Sequence, residues 1–138
     1  MLPAGISELR QAFRVHLHAA QGNEGFSFHL LLFYAAECGL KTVWLRRNRL
    51  LRTERIPDQT LLRNDGHNLA RWVKELRVPA SVAQSVPSFR LATDGTAWDV
   101  EKAHQAWRYG VRIQQKDETA LIAWLEQLCQ WIKEEINQ

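Results

Sequence analysis

This sequence predicts an all-α fold, an antiparallel bundle of four to five helices in a single domain spanning residues 1–138, and three observations carry that prediction. Residues 30–36 are apolar on nearly every side, which suits a central buried helix and no surface helix. Both ends of the chain carry apolar stripes at helical spacing. No sustained strand alternation, internal repeat or low-complexity tract competes with a bundle. At 138 residues and 46% hydrophobic, the chain is long enough to bury a core without disulfides or metal.

The first helix is expected to start near Ser7, a potential cap, with Ile6, Leu9, Phe13, Leu17 and Ala20 on one stripe, and to end around residues 21–23. His16 and His18 point about 200° apart on a helix, so they cannot share a metal and are expected to be exposed. The central helix follows in residues 26–49. Within it Glu37 precedes Lys41 by four residues, the favourable order for a helical ion pair. A carboxylate in so apolar a segment needs a partner, and Lys41 supplies one, so Glu37 is read first as a structural polar residue.

Residues 48–59 are polar and arginine-rich, and Pro57 stops helical continuation, so they are read as a loop. Asn64 or Asp65 then caps a helix whose apolar face carries Leu69, Trp72, Val73 and Leu76 and which Pro79 ends. That places His67 in a first helical turn, where the dipole favours a neutral ring and free amides with Arg63 could hold an anion. Residues 80–97 are expected to form a long connection, with a helical turn at the start, an extended piece at 88–91 and a turn at Asp94-Gly95. Residues 98–107 read as helical. His104 and Arg108 share a face if that helix continues to Gly110, which is placed to end it. Asp117 is expected to cap a last helix with Leu121, Trp124, Leu125, Leu128, Trp131, Ile132 and Ile136 on its stripe.

Charge is uneven along the chain. The net +3 divides into +5 over residues 1–77 and −2 over residues 78–138. Lys41, Arg46, Arg47, Arg49, Arg52 and Arg55 crowd against Glu54 alone, a cluster that suits a phosphate backbone, an acidic partner or a solvated helix end. Cys38 and Cys129 lie in apolar helical patterns, as core residues of a reduced cytoplasmic protein would. No basic segment followed by an apolar one opens the chain, and the apolar run is too short for a bilayer, so no membrane contact is expected.

Several chemistries lack their residues. The sequence holds no glycine-rich phosphate loop, no paired-cysteine or His-Glu-x-x-His metal spacing and no serine nucleophile signature, so no metal or cofactor is expected. What remains is chemistry by His, Arg, Lys and Tyr on helices, which suits a phosphate-bearing partner.

Three segments in order carry a resemblance: FYAAECGLKTVWL, GHNLARWVKEL and WRYG. They resemble, respectively, the second helix, the following His-containing segment and the Arg-Tyr element of HEPN domains, over roughly residues 24–77 and 105–136. The resemblance implies a helical bundle, a homodimer, and a place in bacterial toxin–antitoxin or antiphage systems. The implied partners are RNA or a nucleotide, and a nucleotidyltransferase-type or other defence-system protein. It carries Glu37, Lys41, His67, Arg108 and Tyr109 over as pattern positions.

Many members of that family are metal-independent ribonucleases with an Arg followed after four to six residues by His near the start of the last helix. Here the last histidine is His104, ahead of that helix, so the motif is missing from its place. Arg10 and His16 fit the spacing but lie in the first helix, and Arg63 and His67 stand one residue too close. The first expectation is therefore a non-catalytic binding or scaffold subunit, with Lys41, Arg46, Arg47, Arg49, Arg63 and Tyr109 as nucleic-acid or nucleotide contacts. The alternative is a divergent ribonuclease using His67 and Arg108 as catalytic residues. A third reading is a protein–protein module whose basic edge binds an acidic partner.

Overall fold

In the computed structural model, residues 2–63, 65–83 and 85–138 are described. Among the described residues, six α-helices and one small hairpin follow in the order α1 (Ile6–Gln21), α2 (Gly25–Arg47), α3 (Thr60–Arg63), α4 (Leu69–Glu75), β1 (Ser88–Arg90), β2 (Ala97–Asp99), α5 (Ala103–Tyr109) and α6 (Gln115–Ile136). The expectation of a mainly helical protein is met. Helix α2 is the axis, with Leu32, Phe33, Ala35, Ala36, Leu40, Val43 and Leu45 all buried.

Four of the described helices pack on it, α1 most extensively, then α6, α5 and α4. Gly39 marks the tightest approach. A Cβ at that position would lie 2.5 Å from Ile132 Cγ2 of α6 and 2.8 Å from Phe13 Cδ1 of α1, so a side chain is excluded. Both cysteines are free, and Cys129 is buried in this core.

The ends of the elements differ from the caps read in the sequence. Gly5, not Ser7, precedes α1, and Glu8 reaches back to accept from the Gly5 N–H at 2.9 Å. Asn68, rather than Asp65, caps α4 by accepting from Arg71 N–H at 3.2 Å; Asn64, the other candidate cap, lies outside the described residues. Helix α6 starts at Gln115, two residues before Asp117, whose carboxylate instead accepts from the Arg90 N–H at 2.8 Å. Gly110 does end α5, with φ +70° and a Val111 N–H to Ala106 O bond of 2.8 Å. Helices α2 and α4 end in the same looped-back geometry, but there the left-handed positions are Arg49 (φ 55°) and Arg77 (φ 51°).

The hairpin is the clearest addition to the predicted bundle. Trp98 lies in β2 rather than in a helix, and α5 begins only at Ala103 after a 3-10 turn. Phe89 pairs with Trp98 across the ladder, and Asp94 closes the turn by accepting from Thr96 N–H and Oγ at 2.9 and 2.7 Å. Phe89 is buried, and Arg90 O accepts from Gln114 N–H at 2.9 Å, so the hairpin is bound to the linker between α5 and α6. Residues 48–59, read as a loop, also contain a 3-10 turn whose Thr53 exchanges bonds with Ala4 at 2.8 and 2.9 Å.

Candidate functional site

Polar side chains from α2, α5 and the turn before α4 meet on one side of the bundle. Tyr34 and Glu37 stand three apart on α2, so they share a face, and His104 and Arg108 stand four apart on α5. The two faces oppose one another. Arg108 Nη2 donates to the Tyr34 hydroxyl at 2.6 Å, and the His104 ring packs 5.1 Å from that of Phe33. His67 closes the group: its Nδ1 is hydrogen-bonded to Glu37 Oε1, and its ring lies 4.7 Å from the His104 ring at an interplanar angle of 35°.

The turn that presents His67 is held from below. A Cβ on Gly66 would lie 2.6 Å from Leu62 O, so only glycine fits there. Arg71 joins Asp58 (2.7 Å) and Asp65 through one guanidinium, and Trp72 Nε1 donates to Asp65 O at 3.2 Å. His67 is therefore in the turn ahead of the Asn68 cap and not in the first helical turn. That helix is seven residues long. Arg63 lines a separate pocket with Pro3, Thr53 and Glu54, so the expected pairing of Arg63 with His67 around an anion is not formed.

Electrostatics divide the roles. Burial pushes the Glu37 carboxyl up, but the bond to His67 and the Lys41 charge outweigh it, so the pKa falls below its ordinary value. Glu37 is thus an anion at neutral pH, and the hydrogen bond from Nδ1 leaves His67 Nε2 as the basic nitrogen. The His67 side chain is 55% exposed, so that nitrogen's ring is open to solvent. His104 is the opposite case: 4% exposed, with Nδ1 lacking a hydrogen-bond partner. Its pKa is lowered to about 4, by burial first and then by His67 and Arg108. It is a neutral wall for His67.

The expected nucleic-acid contacts separate into three kinds. Lys41 is 3% exposed, 3.3 Å from Glu37 Oε2 and 5.9 Å over the Trp72 ring, so it fixes Glu37 from inside rather than facing a ligand. Arg46 and Arg47 are clasps. Arg46 Nη1 donates to the last carbonyls of α6, Glu135 O at 2.8 Å and Ile136 O at 2.7 Å, while Arg47 bonds Leu76 O and lies 5.4 Å over the Trp131 ring. Arg49 and Tyr109 remain exposed, and Tyr109 neighbours the Arg108 guanidinium.

Glu37, His67 and Arg108 are thus brought to one side of the molecule, whereas Arg46, Arg47 and Arg63 lie apart from them. Tyr34, the anchor of Arg108, has no place in the sequence reading, and its three-residue step to Glu37 is the signal that points to it. His104 is read there only as sharing a face with Arg108; its contact with the His67 ring crosses the fold and has no local signal. His16 is half-buried with its ring 6.0 Å from Tyr34, while His18 is exposed as expected. Among the described residues, no group of three or more His, Cys, Asp and Glu is placed to hold a metal ion, and no helix is long and apolar enough to cross a membrane. Compared with protein-family models, curated proteins and solved structures, the chain matches none.

Proposed function

We propose that this protein is a HEPN-like ribonuclease that cleaves RNA at its ribose 2′-hydroxyl, with His67 as general base and Arg108 as the cation for the phosphate. The observation that carries this reading is the Glu37–His67 bond, which holds an exposed imidazole in one tautomer. In the proposed step His67 Nε2 takes the proton of a 2′-hydroxyl, whose oxygen attacks the adjacent phosphorus. The bond to the 5′ oxygen breaks, that oxygen takes a proton from water, the His67 imidazolium returns its proton to the hydroxide so formed, and a cyclic phosphate remains. Arg108, held by Tyr34, offers N–H donors to the charge that grows on the phosphate oxygens. Glu37 stabilises the imidazolium, and Lys41 keeps Glu37 ionised.

The test is incubation of the full chain with labelled mixed RNA in the presence of a chelator, beside His67→Ala and Arg108→Ala. Cleavage by the wild type, lowered about 100-fold or more by each substitution, supports the reading. A wild type that leaves RNA intact, or a His67→Ala variant that still cuts, removes it.

One observation favours a second reading. Helix α6 contains neither His nor Arg, so the place where the resembling ribonucleases carry their motif is empty of it. A binding or scaffold subunit of a bacterial toxin–antitoxin or antiphage system, working as a homodimer or with a nucleotidyltransferase-type partner, would show salt-sensitive RNA retention without cleavage.

A further inference from the structure

We propose that the cavity between the hairpin and α5 is a subsite for one nucleobase of the strand whose phosphate meets Arg108. This inference rests on the reading of the adjoining site as one that acts on RNA. The cavity is about 150 Å³, below the roughly 300–1,000 Å³ of pockets for drug-sized ligands and suited to a single ring system. Buried Phe89 and Ala106 form its floor, with Leu91 and Val111 beside them.

Two aromatic residues stand at the mouth, and both are unusually open for their size. Trp98 is 45% exposed and Tyr109 is 68% exposed. Flat, solvent-facing rings beside an apolar floor are the arrangement on which a base stacks, because every base offers a π-face. Gln105 lines the same cavity and brings both donor and acceptor groups, which suit a base edge, while Lys102 adds a cation. An aliphatic ligand would leave both groups without use.

The geometry of α5 ties the cavity to the proposed reaction. Lys102 and Gln105 lead into Tyr109 on one strip, and His104 and Arg108 occupy the next strip round, about 100° away. The Tyr109 phenol interacts with the Arg108 guanidinium, which also bonds the Tyr34 hydroxyl. A phosphate on Arg108 therefore lies beside the cavity mouth. The hairpin thereby acquires a use: it carries Phe89 and Trp98, two of the cavity's aromatic walls.

The test is calorimetric titration of the full chain with a 2′-O-methyl adenylyl dinucleotide, which can bind but has no hydroxyl to be activated at the methylated riboses. Trp98→Ala and Tyr109→Ala are each expected to weaken binding about tenfold or more, Trp98→Phe to restore most of it, and Leu51→Ala, exposed elsewhere, to change nothing. Adenosine monophosphate in a parallel titration separates a strand from a free nucleotide, with the dinucleotide expected to bind more tightly; tighter binding of the monophosphate would overturn the strand assignment. Circular dichroism of each variant checks that it remains folded. Cleavage of RNA together with dinucleotide binding that ignores Trp98 and Tyr109 would overturn the subsite and leave the ribonuclease reading standing. Binding that depends on both rings without cleavage would keep the subsite and remove the ribonuclease. Absence of binding and cleavage would end both.

Discussion

Helix α2 carries two polar regions that look alike in sequence and differ in the structure. Its middle, from Tyr34 to Lys41, contributes two of the groups around His67, and its end, from Arg46 to Arg49, has the highest local density of positive charge. Charge density points to the end as the ligand surface. Yet Arg46 and Arg47 spend their donors on carbonyls of α6 and α4's C-terminus, while the middle, with fewer charges, meets a solvent-facing histidine and an arginine from other elements. What decides is where the chain returns, and convergence across elements is a stronger mark of a site than local charge.

The largest effect is expected where the two regions are most unlike in role. Glu37→Gln keeps the shape of the side chain but removes the carboxylate that orients His67 and neutralises Lys41. RNA cleavage should fall about 100-fold, and because the buried Glu37–Lys41 ion pair is lost, stability should also drop by about 2 kcal/mol. Urea unfolding and cleavage rates measured on one preparation check both. Loss of stability with an unchanged rate would make Glu37 a purely structural partner of Lys41, the first reading of its sequence.

The complementary change is Arg46→Ala. It uncaps the last carbonyls of α6, which should lower stability by about 1–2 kcal/mol. RNA affinity and its salt dependence should stay unchanged if this region is a clasp. A flatter salt slope with unchanged stability would return the helix end to the role of phosphate contact.

Acid titration sharpens the contrast further, because the middle region packs against a buried histidine, His104 of α5. The pKa of His104 is lowered from 6.5 to about 4 in the folded protein, so between those values the unfolded chain binds more protons. Stability is therefore lost as pH falls from 6.5 towards 4, by about 2 kcal/mol once solvent screening is allowed for. Glu37 acts in the same direction at lower pH, since a lowered carboxyl pKa gives stability above its unfolded value that disappears as pH falls through the folded one. His104→Phe should flatten the upper part of the curve and leave the lower part. A curve that is unchanged by the substitution would mean that His104 is not the group being protonated.

The sequence made most of the helical scaffold legible because α1 and α6 are long with apolar spacing that repeats over several turns, and the middle of α2 is apolar on nearly every side. Gly110 was legible as a stop for a local reason, the left-handed turn that glycine favours. The hairpin was less so: only three residues form each strand, too few for an alternation, and Ser88–Arg90 alone carries a buried centre. The site was visible in halves. Glu37 with Lys41 and His104 with Arg108 are local pairs that helical geometry predicts, whereas the contacts joining Tyr34 to Arg108 and Glu37 to His67 cross the fold and have no local period. Lys41 stands in two readings of the sequence, as the ion-pair partner of Glu37 and as a ligand contact carried over by the resemblance, and its burial beside Glu37 favours the first.

The smallest effect is expected at Arg49, and its sign makes it a sharp test of the helix end. Arg49 is exposed and sits at φ 55°, where its N–H bonds Arg46 O at 3.2 Å and the Leu50 N–H bonds Leu45 O at 2.9 Å. That pair of bonds is the closing turn in which glycine is favoured, because a Cβ at positive φ crowds the backbone. Arg49→Gly should therefore remove local strain, offset in part by the greater freedom of glycine in the unfolded chain, and stabilise the protein by about 0.5 kcal/mol. If Arg49 contacts RNA, the same substitution must weaken binding and reduce its salt slope by about one. An increase in the urea midpoint with RNA affinity unchanged would show that the charge at the end of α2 is not required by the ligand, and would leave the middle of the helix as its functional part.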